Sequence, residues 1–480
     1  MKLSRTAPIT ILVVAIAFCL RLWHLYYLEN SPFANVLMGD SVGYDVWARE
    51  IASGDWFGHE VFYQAPLYPY FLGTLYSASG DELIWIRMAQ AALGAAGCGL
   101  LLLATARFFQ SVPAGVVAGL TLAFFAPGIF HDTLIQKSVL DLFFLSLLLW
   151  SLAHIVDRPR MSTWCAAGAI LGCLILTREN ATLLALAIFF WMFFQFREAG
   201  RRRIAFAACF LVGLFLILAP VAARNYVLSG EIHLTTSQLG PNLYIGNHKG
   251  ATGTYVPLRW GRGSSRFERE DAVQLAERAS GQKLNARQTS QYWQKRAINY
   301  VLTQPADWLR VTGLKFALLW NATEVIDTED QYTYAEFSPP LLALGSVTHF
   351  GIISPLALLG LIITWPQRKR LWILYAMITC YATSVLIFYV VARYRLPLAP
   401  LLIPFAAAGL VNLPRWIRNT RFRTIWVTGA AILLVAALSN WNLVNRDGMR
   451  AATYYNLGMA ATSRGENQTA IEQYRKAIEI

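Results

Sequence analysis

Charge is scarce in this chain, and disulfide spacing is missing altogether. Only 14 % of the 480 residues are Asp, Glu, Lys or Arg, while 56 % are hydrophobic, and mean hydropathy is positive. At this length such a balance excludes an ordinary soluble core and points to a polytopic membrane protein. The six cysteines (Cys19, Cys98, Cys165, Cys173, Cys209 and Cys380) all lie in apolar runs. There they act as small buried hydrophobes, and no paired spacing for disulfides or zinc is present. The formal charge of +13 would suit nucleic acid only if the basic residues formed a stripe. They cluster between apolar segments instead, so no nucleic-acid partner is expected. His59 with Glu60, His131 with Asp132, and His248 are too scattered for a ligand set. No metal site or cofactor is therefore assigned, and a divalent metal is not indicated.

What the chain has in quantity is apolar length. With roughly 20 residues needed per crossing, about eleven spans are expected, at 8–27, 84–106, 112–130, 134–156, 162–177, 181–196, 204–222, 345–365, 371–391, 396–413 and 423–441. The fold class is thus an all-α polytopic membrane protein. The opening MKLSRTAPITILVVAIAFCLRLW resembles a signal peptide but lacks a small-residue cleavage site, so it reads as a retained first span. Lys2 and Arg5, Arg107, Arg158 and Arg160, Arg197 with Arg201 to Arg203, Arg368 to Arg370, and Arg415 to Arg423 fall on one side. The positive-inside rule makes that side the cytoplasm. The opposite side receives the loop 28–83, the turns near 131 and 178, the long loop 223–344, the turn 392–395 and the C-terminus.

The outer loops carry surface helices. Tyr44, Trp47, Ala48 and Ile51 recur at helical spacing, with Gly54 where a helix would end, and PLYPYFLGTLYSA is too short to span. WLRVTGLKFALLWNA (308–322) reads as an amphipathic helix lying on the outer surface. The charged run from RFERED to TQPADW, broken at Gly281, reads as two or three helices capping the site, with Trp320, Asn321, Glu324 and Asp327 to Asp330 as acceptor contacts.

Several polar groups stand out against this apolar background, because charge beside hydrocarbon usually faces a cavity or a partner. Asp40 precedes a helix and is placed to cap it. Asp45 stands four residues before Arg49, the spacing of an ordinary helical ion pair. LTRENATLL puts Arg178, Glu179 and Asn180 at a tight turn where glycine or serine would serve a purely structural loop. Lys137 has Asp141 one turn along, and snorkelling to the interface is its plainer role. Arg393 and Arg395 in ARYR carry guanidinium groups suited to phosphate, with interface anchoring as the alternative.

The order LMGDSVGYD, APLYPYFLG, PVAARNYVLSGEIHLTTSQLGPNLYIGN and ARYRLPLAP resembles the GT-C superfamily of membrane glycosyltransferases, of the protein O-mannosyltransferase and aminoarabinose transferase type. The likeness runs over roughly residues 1–440. One departure is that the first loop lacks the adjacent Asp-Glu pair of the eukaryotic mannosyltransferases. The resemblance implies an inverting transfer from a polyprenyl-phosphate-linked sugar to a glycan, lipid or protein acceptor on the outer face of a membrane. A bacterial inner membrane is favoured, with the site and C-terminus periplasmic. It places Asp40, with Asp45 beside it, as the catalytic carboxylates, Asp40 being the general base. Lys137, Arg178, Arg393 and Arg395 become candidates for the donor phosphate. Tyr44, Gln64, Glu179, Asn180, Asn242 and Asn247 become candidates for substrate hydrogen bonds. Alternatives are a lipid-linked oligosaccharide ligase or polymerase and a lipid-sugar transporter. The transporter would need inverted repeats and mid-membrane charge, which are not seen.

The chain is divided into a membrane catalytic domain over 1–445 and a segment over 446–480. In the latter, Tyr454, Leu457, Gly458, Ala470, Tyr474 and Ala477 resemble a tetratricopeptide repeat. One such repeat cannot bury its own apolar face, so it is expected to dock or to present a surface to a protein partner.

Overall fold

A computed structural model describes residues 6–231, 234–259, 262 and 265–480. Among them there is no strand. The N-terminal part runs α1 (Ala7–Glu29), α2 (Asp40–Ala52), α3 (Leu67–Ser79), α4 (Leu83–Phe108), α5 (Val112–Phe124), α6 (Ala126–Thr133), α7 (Ser138–Asp157), α8 (Met161–Thr177), α9 (Thr182–Gln195) and α10 (Arg202–Ser229). The outer region holds α11 (Leu239–Gly246), α12 (Ser265–Ser280), α13 (Ala286–Thr303), α14 (Pro305–Trp320), α15 (Gln331–Ala335) and α16 (Pro339–Gly345). The last membrane helices are α17 (Phe350–Ile363), α18 (Arg368–Ile387), α20 (Leu398–Asn419) and α21 (Phe422–Ser439), with the short α19 (Ala392–Arg395) between two of them. A hairpin of α22 (Arg446–Ser463) and α23 (Asn467–Glu479) closes the chain.

Among the described residues seven helices are long and apolar enough to cross a membrane, or up to nine if each of two bent pairs is one span. The protein is an integral membrane protein. Met161–Thr177 and Glu179–Gln195 are shorter apolar helices, and they fall on the two brief stretches noticed in the sequence. The expected span 134–156 is α7, and the expected span 112–130 is a broken pair. α5 and α6 meet at a 54° bend, set by extended Phe125 and by Pro127 in the first turn of α6. A proline cannot continue the preceding helix without losing a backbone bond. The exposed backbone groups are satisfied locally: Thr348 accepts from the Ala126 amide at 3.0 Å and donates to the Phe124 carbonyl at 2.8 Å. Gln90 on α4 donates to the Asp132 and Leu134 carbonyls at 3.0 and 2.6 Å. Irregular backbone at such depth is tolerated only when it is paired in this way. His131 and Asp132 are consequently buried, not turn residues facing outward, and Asp132 accepts from Arg21 of α1 at 2.7 Å.

The two ends of the bundle differ in charge. Asp157 accepts from Arg107 at 2.9 Å and from Arg370 at 2.5 Å, joining three loops at one end. Lys137 lies at the other end of α7, and Arg393 beyond the other end of α18.

The long outer loop begins later than position 223. α10 continues to Ser229 and stops at Gly230, whose φ of +70° is the left-handed conformation glycine adopts freely. The extra turns are held because Arg224 donates to the carbonyls of Phe57 and Glu60 at 2.6 and 2.9 Å. α12 ends at Gly281 (φ +71°), where the sequence showed a break, and α14 covers most of the expected amphipathic stretch.

The C-terminal hairpin is tight enough that a Cβ on Gly458 would lie 2.5 Å from the Tyr474 ring. It packs on the outer loops. Asn456 donates to the Thr328 carbonyl at 2.9 Å, Met449 sulfur accepts from the Ile326 amide at 3.3 Å, and Arg450 and Tyr454 both bond Glu336. Tyr454 and Leu457 share a buried cluster with Phe33, Val36 and Met38 of the first loop.

Membrane helices gain no hydrophobic drive from touching each other, so small residues that allow close approach decide where they cross. A Cβ on Gly168 would stand 2.0 Å from the Phe210 carbonyl oxygen, and one on Gly213 would stand 1.9 Å from that of Cys165. Gly213→Val should therefore force α8 and α10 apart, at a cost of about 1–3 kcal/mol. Thermal unfolding in detergent is the measurement, and an unchanged midpoint would mean the helices do not meet there.

Candidate functional site

The site is built around one arginine on a four-residue helix. α19 is pinned from both flanks: the Val390 amide donates to Gly253 O at 2.9 Å and the Ala392 amide to Val325 O at 2.8 Å. Thus fixed, Arg393 reaches Asp40 at 2.6 Å with one nitrogen and Asp327 at 2.8 Å with the other, and adds Gln136 at 3.1 Å. Arg393 is only 8 % exposed. Three segments distant in sequence converge on its guanidinium group, the geometry in which arginine gains most from its planar fork.

Asp40 is not the cap of α2. That position is Gly39, with φ +59°, and a Cβ there would run 2.5 Å from the Thr328 hydroxyl. The close approach of Thr328 and the left-handed backbone both require glycine. Asp40 becomes the first helical residue, and its Oδ2 turns to Arg393. Its Oδ1 has no protein partner among the described residues.

Around this pair lies a small polar chamber. Lys137 and Arg393 supply cations, Asp40, Asp327 and Glu268 supply carboxyls, and Gln64, Gln238, Asn242, Thr328 and the tyrosines 255, 389 and 394 complete the wall. Tyr389 donates to Asn242 at 2.9 Å and lies 3.2 Å from the Tyr394 hydroxyl. Gln64 also lines a groove of about 870 Å³ between the first outer loop and α12, so chamber and groove adjoin. Arg269 of α12 pairs with Glu60 across that groove. Burial, and then the nearby Asp40 carboxylate, push Asp327 above the usual carboxylate range while Arg393 pulls it down. Burial pushes Glu329, two residues on, up to about 7.

The structure brings together Asp40, Gln64, Lys137, Asn242, Asp327 and Arg393 of the residues singled out in the sequence. The other candidate site residues lie apart from the chamber wall. Asp45 is bound to Arg49 at 2.9 Å and accepts from Tyr76 at 2.6 Å, tying α2 to α3. Tyr44 is fully buried edge-on to Tyr68, one turn beneath Asp40. Arg178 donates to Asp141 at 2.6 Å behind Tyr394, whose ring it covers at 5.2 Å. Glu179 accepts from Thr236 and Gln238 at 3.0 and 2.9 Å and lies 3.9 Å from Lys137. Asn180 donates to Ser384 at 2.9 Å. Asn247 bonds the Leu243 and Ile387 carbonyls and accepts from Trp308 and Lys315. Arg395 is wholly buried against Glu324 at 2.8 Å and the carbonyls of Leu318, Asn321 and Thr323. Its five donors are consumed in holding the loop after α14. Among the described residues no group of three or more His, Cys, Asp or Glu is placed to hold a metal ion.

Sequence reasoning passed over Glu268, Tyr255, Gln238 and Tyr389, and noted Asp327 only as one acid of DTED. Nothing in spacing separates Glu268 from its neighbours in RFERED. The fold turns its carboxyl toward the chamber.

Removing one partner of a buried ion pair leaves an uncompensated charge, at a cost of about 3–5 kcal/mol. Arg395→Gln should accordingly lower the yield and thermal midpoint of the purified protein far more than Arg49→Gln, where the arginine itself is 46 % exposed. Equal effects on thermal unfolding would refute the buried anchoring role.

Residues 63–223 match the family model described as dolichyl-phosphate-mannose-protein mannosyltransferase. No curated protein sequence matches. Among solved structures, the oligosaccharyltransferase of Archaeoglobus fulgidus, in complex with zinc and sulfate, aligns with a TM-score of 0.52 at 16 % identity, over 97 % of this chain and 56 % of its own. This chain thus spans little more than half the length of that protein. ArnT from Cupriavidus metallidurans, bound to undecaprenyl phosphate, aligns with a TM-score of 0.49 at 17 % identity, over 97 % of this chain and 75 % of its own. The fold is similar to that of the Archaeoglobus fulgidus oligosaccharyltransferase.

Proposed function

We propose that this GT-C-type membrane protein is a glycosyltransferase, moving a sugar from a polyprenyl-phosphate-linked donor to an acceptor on the outer face of the membrane. The observation that carries the reading is the chamber itself: a carboxylate with a free oxygen, Asp40, facing two buried cations, Lys137 and Arg393, at the end of the bundle opposite the Arg107, Asp157 and Arg370 cluster. The family match over residues 63–223 supports the same chemistry.

In the proposed reaction an acceptor hydroxyl enters from the groove past Gln64. Asp40 Oδ1 takes its proton as the acceptor oxygen bonds to the anomeric carbon, opposite the departing group, so the configuration inverts. The bond from that carbon to the phosphate oxygen breaks, and its electron pair stays on the phosphate. Lys137 and Arg393 stabilise the charge that develops there, in a site whose dipoles are already fixed. Asp327 holds Arg393 from the far side, so the guanidinium stays oriented when Asp40 becomes protonated and releases it. The active site and C-terminal hairpin then lie outside the membrane, and a bacterial inner membrane with a periplasmic site is the setting that this reading favours.

The purified protein would be given radiolabelled polyprenyl-monophosphate and polyprenyl-pyrophosphate sugars with membrane extract as acceptor. Transfer from one monophosphate donor is expected. Asp40→Asn should lower it by at least about 10³-fold, combining loss of the base with loss of an Arg393 partner. Lys137→Ala should mainly raise the apparent donor KM. Full activity in Asp40→Asn would remove Asp40 as base, and turnover of pyrophosphate donors alone would favour an oligosaccharide ligase.

A further inference from the structure

Glu268 is the carboxyl of the chamber that the proposed reaction does not use. It sits in the first turn of α12, one residue before Arg269, whose pairing with Glu60 ties the helix across the groove to the first outer loop. Asp271, one turn on, accepts from Arg259 at 2.8 Å and from Arg262 at 3.0 Å, which fixes the base of the helix. Among the described residues every acid around it is paired with a cation, yet Glu268 is not. Its Oε1 is buried and has no hydrogen-bond partner among those residues.

The groups that face Glu268 come from five segments. Asp40 belongs to α2, Asp327 to the loop before α15, and Arg393 to α19, while Tyr63, Tyr255 and Tyr389 present hydroxyls. Lys137 stands on the same wall. Among the lining side chains, Asp40 and Asp327 offset Arg393 and Lys137, two against two. A third ionised carboxylate would leave the chamber net negative and hostile to any phosphate.

We infer that Glu268 is a further donor-binding residue: as a neutral carboxylic acid it keeps the chamber receptive to a phosphate anion and donates a hydrogen bond to it, and once ionised it repels that anion. The inference rests on the donor assignment of the preceding subsection. A carboxylic acid differs here from an amide in one respect: its donor can be withdrawn by pH.

Burial first, then Asp40, push Glu268 up to about 8, with Arg393 pulling down, Asp327 pushing up again and the Tyr255 hydroxyl pulling down. A raised value means that the proton is held below about pH 8 and lost above it. Donor affinity should then be complete near neutrality and fall as pH rises through that value.

The test is binding of undecaprenyl phosphate to the full chain in detergent, from about pH 7 to 9.5. The second ionisation of a phosphate monoester, near pH 6, is already complete there, so the charge of the probe stays constant. Wild type should bind about tenfold more weakly at the upper end, the factor carried by one pH unit of linked proton. Glu268→Gln, an isostere of the neutral acid, should bind at pH 7 like wild type and lose the pH dependence. Glu268→Leu, with no donor, should bind more weakly at pH 7 and be equally insensitive to pH. A wild-type affinity that does not change with pH overturns the inference, as does a fall that persists in both variants. Failure of wild type to bind the probe at any pH overturns the donor assignment and the inference with it.

Discussion

Arg393 meets two carboxylates at once, and the outer half of the protein is organised by that contact. Asp40 arrives on the first surface helix, Asp327 on the loop after α14, and the arginine on a helix of four residues between two spans. None of these segments is a regular membrane helix, and each would be free to shift without the others. A charged group this deeply buried is tolerated only if it is fully paired, and breaking one side leaves the other charge stranded. In the reaction proposed above, the carboxylate that stabilises the arginine is also the one that takes the acceptor's proton.

The surrounding bundle solves a related problem for the backbone. Spanning helices satisfy their own amides, but a helix that ends early must find partners elsewhere. The break between α5 and α6 finds them in Thr348, and the extended turn after α6 finds them in Gln90. These two side chains hold open the non-helical stretch that presents Gln136 and Lys137 to the chamber. Arg395 does comparable work two residues beyond Arg393, capping three carbonyls. Two arginines in ARYR thus have opposite fates: one faces the chamber, and the other is sealed into the scaffold.

Much of the fold was legible because apolar length and basic loops obey simple physical rules. Helix breaks at Gly281 and Pro127 have local causes, though only the first was read in advance, since apolar residues continue unbroken through Pro127. Of the site, Asp40, Lys137 and Arg393 could be found because charge is rare beside hydrocarbon. Arg178, Arg395 and Asp45 carry the same signal, yet each is paired locally, a distinction that depends on partners 37 to 71 residues away for the two arginines. Glu268 lies in a strongly charged helix where acids are ordinary, so composition could not mark it out.

The hairpin at the end of the chain adds a dimension of time. Asp40 and Arg393 are 353 positions apart, and the loop bearing Asp327 and Thr328 is clamped by α22, whose residues follow later still. A chain emerging from a ribosome therefore exposes its carboxylate outside the first span long before its counter-charge exists. The loop bearing Asp327 and Thr328 stays unclamped until α22 has been made.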